Sequence, residues 1–473
     1  MDTQTIKKQI YAFLLYALIS SSVHAQEPVR IQQQWELLVD DHLIDRMTGD
    51  VELRLHSPVA QEIVLTHDTP WEGNTSGYTT IFQDGARYRM YYRGWGQNTN
   101  QKQIHPAVVC YAESQDGIRW IRPDLGLIEY RGSKRNNIII EEFGTHNFTP
   151  FKDSNPRCPR EKLYKAVARG EGEDNRKLFA FVSADGIHWK VMQKEPIITE
   201  GAFDSQNLAF WDTLRREYRC YFRDFRQGYR AIKVSTSHDF IQWTRPTWLD
   251  YGEAPPEHLY TNQVQPYYRS PHIYIGFPTR YLPHRESLTE GLFMSSRDGQ
   301  TFHRWQEALL RPGQNKDKWY NRSNYIWLGM VETESSIPGA GTELSIYGNE
   351  SYSKGRGTSI RRYTYRIDGF VSLHASFPGG EVITNPLIFE GNRLFVNYAT
   401  SAAGSLRIEI QDENGAPIEG YSLQDGPEIY GDEIDHLVKW TNNSVRPLVG
   451  KPVRLRFALK DADVFAFGFR KRD

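Results

Sequence analysis

Apolar and polar residues alternate in short runs along most of the 473-residue chain, and Gly- or Asp-marked turns separate the runs. Thr79-Thr80-Ile81-Phe82, the turn Gln83-Asp84-Gly85 and Tyr88-Arg89-Met90-Tyr91-Tyr92 read as a β-hairpin. The pairing recurs at Leu208-Ala209-Phe210-Trp211 with Tyr218-Arg219-Cys220-Tyr221-Phe222, and at Gln265-Pro266-Tyr267-Tyr268 with Ile273-Tyr274-Ile275-Gly276-Phe277. Residues 148–151 with 164–167, and 325–329 with 344–347, supply two more pairs. No helical period is sustained between residues 30 and 375, which argues against α/β alternatives.

A second signal follows each pair. Ser114-Gln115-Asp116-Gly117-Ile118-Arg119-Trp120 recurs from Ser183 to Trp189, from Ser237 to Trp243 and from Ser296 to Phe302, with a worn copy at Asp368-Gly369-Phe370. Asp-Gly supplies the positive-φ residues of a tight turn, Ser can bond the turn backbone, and the aromatic packs between neighbouring sheets. The repeat is therefore scaffold. Two strands before each turn and one on either side make four, the content of a propeller blade, and five blades are counted. Residues 35–39 or 51–55 are expected to add the strand that closes the ring. Beyond residue 376 the aromatic repeat stops. Alternating runs at 394–398, 406–410 and 453–457 predict a small β-sandwich.

The expected architecture is thus all-β: a five-bladed β-propeller over residues 26–375, followed by a β-sandwich over 376–473. Residues 1–25 read as a secretory signal peptide: Lys7 and Lys8, an apolar run over 10–19, then small residues ending at Ala25. Export to the periplasm or beyond is expected, and no later run is long and apolar enough to span a membrane. The net charge of −1 leaves no nucleic-acid footprint. Cys110, Cys158 and Cys220 are odd in number and lack metal or redox spacing, so free thiols are expected, with no metal and no cofactor.

In a blade, the approach to the innermost strand and the end of the second strand meet at one mouth of the central channel. The approaches carry Glu72, His146-Asn147, Asp204 with Asn207, Glu257-His258 and the run Asn321-Arg322-Ser323-Asn324. The second-strand ends carry Arg93, Arg169, Arg223 and Arg280, with Glu350 at the matching place in the fifth blade. Glycoside cleavage needs one protonated and one ionised carboxyl group. Asp204 as base or nucleophile and Glu257 as general acid form the first candidate pair, with Glu72 and Glu350 in reserve. Each of these carboxylates has an alternative role as an arginine partner or turn cap. The four arginines suit an anionic sugar, or else neutralise the channel acids. Trp71, Trp95 and Trp211 offer stacking faces or inter-blade packing, and Asn207 and His258 offer polar contacts.

The repeat turns and the domain order resemble the superfamily that includes glycoside hydrolase families 32, 43 and 68, over nearly the whole chain past the leader. That resemblance implies a five-bladed propeller, in family 32 with a C-terminal sandwich, and a retaining or inverting glycosidase with carboxylates drawn from different blades. The family 32 signatures Trp-Met-Asn-Asp-Pro-Asn-Gly, Arg-Asp-Pro and Glu-Cys are absent. Asp40-Asp41 and Arg223-Asp224-Phe225 echo the first two only in part, so fructan and sucrose cleavage are not carried over. The expected function is hydrolysis of a polysaccharide or oligosaccharide. A polysaccharide lyase, with a His or Tyr base beside an arginine-neutralised uronate, and a non-catalytic carbohydrate-binding propeller are the rival readings.

Overall fold

A computed structural model describes residues 27–354, 357–441 and 444–471. The expected signal peptide lies outside these residues. Strand dominates, and the helical elements among the described residues are 3-10 turns of three residues each.

Four-stranded antiparallel runs follow one another along the chain. Gly77–Asp84, Arg87–Gly94, Val108–Ser114 and Ile138–Ile140 form the first. Thr149–Lys152, Tyr164–Arg169, Leu178–Ser183 and Lys190–Val191 form the second. Leu208–Asp212, Glu217–Arg226, Tyr229–Ser237 and Thr247–Trp248 form the third. The fourth joins Gln265–Tyr267, Ser270–Gly276, Met294–Ser296 and His303–Arg304, and the hairpin Thr279–Leu282/Leu288–Gly291 extends from it. The last joins Ile326–Glu334, Thr342–Glu350 and Ser359–Tyr365 to the N-terminal strand Val59–Thr66. The innermost strands converge: Thr80, Pro150, Leu208, Gln265 and Leu328 line one cavity of about 370 Å³.

The repeat turns lock each sheet to its neighbour. In the first, Ser114 Oγ accepts the backbone N–H groups of Asp116 and Gly117 at 3.1 and 2.9 Å, and Asp116 Oδ1 accepts those of Ile118 and Arg119 at 2.9 and 2.8 Å. The turn then offers the Gly117 carbonyl outward, where the Tyr347 hydroxyl of the last sheet donates to it at 2.6 Å. Tyr91 does the same for Gly186 at 3.0 Å, and Tyr221 for Gly299 at 2.6 Å. In the third sheet Phe240 takes the glycine position at φ 67° and packs its ring against Phe151 of the second. The worn copy keeps the logic through its acid: Tyr267 of the fourth sheet donates to Asp368 at 2.7 Å.

The remaining strands form a second body around its own core of Leu, Ile, Val and Phe side chains. Its long strands Val371–Thr384, Arg393–Asp412 and Val453–Arg470 bend where the register shifts, between Ala375 and Gly380 and between Thr400 and Ser405.

Two boundaries differ from the sequence reading. Val29–Gln32, Trp35–Leu37 and Ile44–Leu55 pair with Leu387–Phe389, Val453–Arg470 and Val371–Thr384, so the C-terminal sheet begins with the N-terminal strands and the division at residue 376 does not separate the sheets. The strand that closes the last four-stranded run is Val59–Thr66, not 35–39 or 51–55. The cause is burial: Trp35, Leu37 and Val39 are apolar enough to be core, whereas an outermost strand needs little apolar surface.

Candidate functional site

The loop that carries Asp204 is held by its carbonyls. Asn147 and Asn207, both buried, donate to the carbonyl oxygens of Phe203 and Ser205, Asn207 at 3.0 Å to each. Arg223 donates to the Asp204 carbonyl at 3.0 Å, and Ser205 Oγ to the Tyr260 carbonyl at 2.8 Å. With its backbone thus fixed, the Asp204 side chain remains 55% exposed at the mouth.

Its carboxylate meets His146 Nε2 at 2.7 Å and Arg169 at 3.7 Å. The hydrogen bond from His146, together with Arg169 and Arg223, holds the Asp204 carboxyl far below the usual carboxylate range. Burial lowers the His146 pKa to about 4, with Arg93 and Arg169 acting in the same direction, so at neutral pH the ring is uncharged. A neutral ring that gives its Nε2–H to Asp204 leaves Nδ1 as an acceptor for Arg93 Nη1, 3.3 Å away.

Glu171 stands two residues beyond Arg169 and faces the His146 N–H, the Thr145 hydroxyl, Arg169 and Arg93. Its Oε1 is buried without a hydrogen-bond partner. Burial outweighs these neighbours and raises its pKa. The mouth thus holds two carboxyl groups pushed in opposite directions.

Across the mouth Arg322, at φ 63°, places its charge among the hydroxyls of Tyr352, Tyr325, Tyr260 and Tyr78. Arg93 lies 4.7 Å from the ring centres of both Tyr78 and Trp95 and donates to the Thr75 carbonyl at 2.8 Å. Below this layer Gln206 donates to the Thr79 carbonyl at 2.9 Å and accepts from Gln263 at 2.8 Å. Both glutamines are fully buried.

The other candidate acids lie in ion pairs. Glu257 contacts Arg280 and Arg304 and lines a separate cavity of about 270 Å³ with Tyr229 and Tyr251. Arg280 also pairs with Glu290 at 2.8 Å, so both acids share its charge. Glu350 is buried on Lys318 at 2.5 Å and Arg361 at 2.7 Å; burial alone would raise its pKa, and these cations lower it. Glu72 is fully buried with Tyr92 and Arg122, at 2.5 and 2.9 Å; there His67 and Arg122 outweigh burial and its pKa falls to about 2. Trp71 donates to Asn137 at 2.8 Å in the core of the first sheet, and Trp211 packs on Tyr218. His258 accepts the Arg230 N–H at 3.1 Å beside Tyr229.

The structure therefore gathers Asp204, Arg93, Arg169, Arg223 and Asn207, and it leaves Glu72, Glu257, Glu350, Arg280 and Trp71 in other surroundings. His146 and Arg322 stood among the channel approaches in sequence but outside the candidate site residues. Glu171 was missed; its one signal is its place two residues past a second-strand arginine. All three cysteines are free. Among the described residues no helix is long and apolar enough to cross a membrane, and no group of His, Cys, Asp and Glu is arranged to hold a metal ion.

No family model matches the chain. Two uncharacterized proteins from Mycobacterium tuberculosis strains are 28% and 29% identical to it over 152 and 149 residues, 31% of this chain. The chain spans 42% of the length of these curated relatives. Solved structures similar to it include a glycoside hydrolase, at 14% identity over 65% of this chain and 92% of the other, with a TM-score of 0.46. A family 32 β-fructofuranosidase of Bombyx mori is 9% identical over 89% and 95% of the two chains, with a TM-score of 0.40. An endo-arabinase of Bacteroides thetaiotaomicron is 10% identical over 63% and 96%, with a TM-score of 0.39.

Proposed function

We propose that the protein is an exported glycoside hydrolase, built as a five-bladed propeller with a C-terminal β-sandwich, that cleaves an anionic glycan at the mouth around Asp204. One observation carries this reading. Asp204 is an exposed, ionised carboxylate on a fixed loop, set among Arg93, Arg223 and Arg322, none of which has a carboxylate within ion-pair distance among the described residues. Unmatched guanidinium groups in a concave site favour a ligand that brings its own negative charge.

In this mechanism Glu171 supplies the proton and Asp204 the negative charge. As the bond from the anomeric carbon to the leaving oxygen breaks, the Glu171 proton passes to that oxygen. Asp204 either attacks the anomeric carbon or takes a proton from the attacking water. Glu257 is assigned a structural role, because its carboxylate is already engaged by Arg280 and Arg304. His146 keeps Asp204 oriented, and Tyr78, Tyr260 and Tyr325 form an aromatic floor.

The test is a panel of neutral, uronate-bearing and sulfated polysaccharides, incubated with the purified protein and with Asp204→Asn. New reducing ends from the parent alone support the proposal. An unsaturated uronate product would transfer the site to a lyase, a reading that the His146–Asp204 pair beside unmatched arginines also accommodates. Binding without product would make it a lectin-like propeller.

A further inference from the structure

Beside the mouth, a polar cavity of about 620 Å³ opens between the first and last four-stranded runs, lined by Asn74, Gln97, Asn98, Asn321, Arg322 and Tyr352 among others. Its size falls within the roughly 300–1,000 Å³ of small-molecule sites. It does not contain Asp204, yet it shares Arg322 and Tyr352 with the mouth. Tyr352 Oη accepts from Arg93 Nη2 and from Arg322 Nη1, each at 3.3 Å. Both of its lone pairs are then used, and its own hydrogen is left to donate to a ligand oxygen.

The walls are fixed in advance. Asn74 exchanges two hydrogen bonds with the Gln97 backbone, at 2.9 and 3.0 Å. The loop bearing Arg322 holds two residues at positive φ, Arg322 and Asn324, and Asn349 clamps it by donating to the Arg322 carbonyl at 2.8 Å. Asn324 ties the same loop to the Thr289 carbonyl at 3.1 Å. A long cationic side chain in so sparsely populated a conformation persists only where its surroundings hold it. Asn321 Oδ1 is buried in this lining without a hydrogen-bond partner. The cavity thus offers a cation with no ion-pair partner among the described residues and a free hydroxyl donor, beside a buried amide oxygen without a partner. This is a complement to a sugar that carries hydroxyls and one acidic group.

We infer that this cavity is a second sugar subsite, which binds through Arg322 and Tyr352 the carboxylate or sulfate of the residue next to the one held at Asp204. The inference rests on the proposed function for the identity of the mouth, and it makes the recognised unit at least a disaccharide.

Calorimetric titration tests it on the Asp204→Asn protein, so that binding is read whether or not the parent cleaves. The ligands are digalacturonate, galacturonate, a sulfated chondroitin disaccharide and lactose. One acidic disaccharide is expected to bind at least about tenfold more tightly than both galacturonate and lactose, and Arg322→Met to remove that advantage by weakening the disaccharide more than it weakens galacturonate. Arg322→Lys keeps the charge and should retain part of it, which separates charge recognition from disturbance of the loop. Preference for digalacturonate or for the sulfated ligand identifies the anionic group. Equal affinities for acidic and neutral disaccharides, or an unchanged profile in Arg322→Met, would overturn the subsite. Loss of the advantage in Arg322→Met, together with a parent protein that releases no product from any glycan, would leave the subsite standing and overturn the enzyme.

Discussion

His146 Nε2 lies 2.7 Å from Asp204 Oδ1, and the ring's other nitrogen lies 3.3 Å from Arg93 Nη1. One imidazole therefore joins the second-strand arginine of the first sheet, the inner-strand approach of the second and the inner-strand approach of the third. Asp204 is oriented from the side while its outer face stays open to solvent. This is the support that a reacting carboxylate needs if its position is to be fixed before substrate arrives.

The opposite environments of Asp204 and Glu171 predict different fates for their amide variants. Asp204→Asn should lower turnover about 10²- to 10⁴-fold on every substrate. Glu171→Gln should do so only where the leaving group needs a proton, and should approach parent rates on an aryl glycoside whose phenolate leaves unaided. The parent pH profile should fall on its alkaline limb as Glu171 ionises, and Glu171→Gln should lose that limb. Equal losses on both substrate types would remove Glu171 from the proton-donor role.

His146 makes acid stability a second test. Its folded pKa of about 4 lies below the ordinary 6.5, so between these values the unfolded chain binds the proton more readily than the folded one. Stability therefore rises with pH through this window and is lost as pH falls from 6.5 toward 4, by at most about 3 kcal/mol. His146→Gln keeps a donor toward Asp204 and has no such proton to gain. Urea denaturation between about pH 4.5 and 7.5 should show a flatter slope for the variant; parallel slopes would assign the acid sensitivity elsewhere.

The parts of this design that were legible in the sequence are local ones. The Ser-x-Asp turns could be read because Ser114, Asp116 and Gly117 complete their hydrogen bonds within a few residues. Val59–Thr66 could not, since its apolar residues do not alternate and its partner, Ser359–Tyr365, comes from far along the chain. The surroundings of the candidate acids were hidden for another reason. Whether a carboxylate is free depends on which arginines fold against it, and those come from far along the chain: Arg280 and Arg304 to Glu257, Arg122 to Glu72. Asp204 was legible as a candidate from its place at an inner-strand approach, and Arg93, Arg169 and Arg223 from the second-strand ends that the repeat made equivalent.

The interlocking turns make a stability prediction that spares the site. Gly299 sits at φ 76°, and a Cβ there would lie 2.7 Å from the Tyr221 hydroxyl and collide with Arg219, the two side chains that clasp this turn from the third sheet. Gly85 has a similar φ of 63° with nothing within 4 Å. Gly85→Ala should cost about 1 kcal/mol from backbone strain alone. Gly299→Ala should cost about 2 kcal/mol more, since it also breaks the hydrogen bonds between sheets. Urea denaturation of the pair checks this, and equal losses would mean that the clasp contributes little.

Salt should act on substrate capture rather than on chemistry. Under the proposed function an acidic glycan would approach Arg93, Arg169, Arg223 and Arg322 through water, where charges interact over about 10 Å at 0.1 M salt and about 3 Å at 1 M. Once bound, the sugar meets groups that are largely buried, such as Arg93 and Arg223, and these are screened far less. KM for an acidic substrate should therefore rise several-fold between about 0.05 and 0.5 M sodium chloride while kcat changes little. KM for a neutral analogue should stay flat. Arg322→Met should shrink the salt effect, because one of the charges that draw the ligand in is gone. A KM that ignores salt for acidic and neutral substrates alike would mean that the arginines serve the protein's own framework and that the glycan is recognised through its hydroxyls.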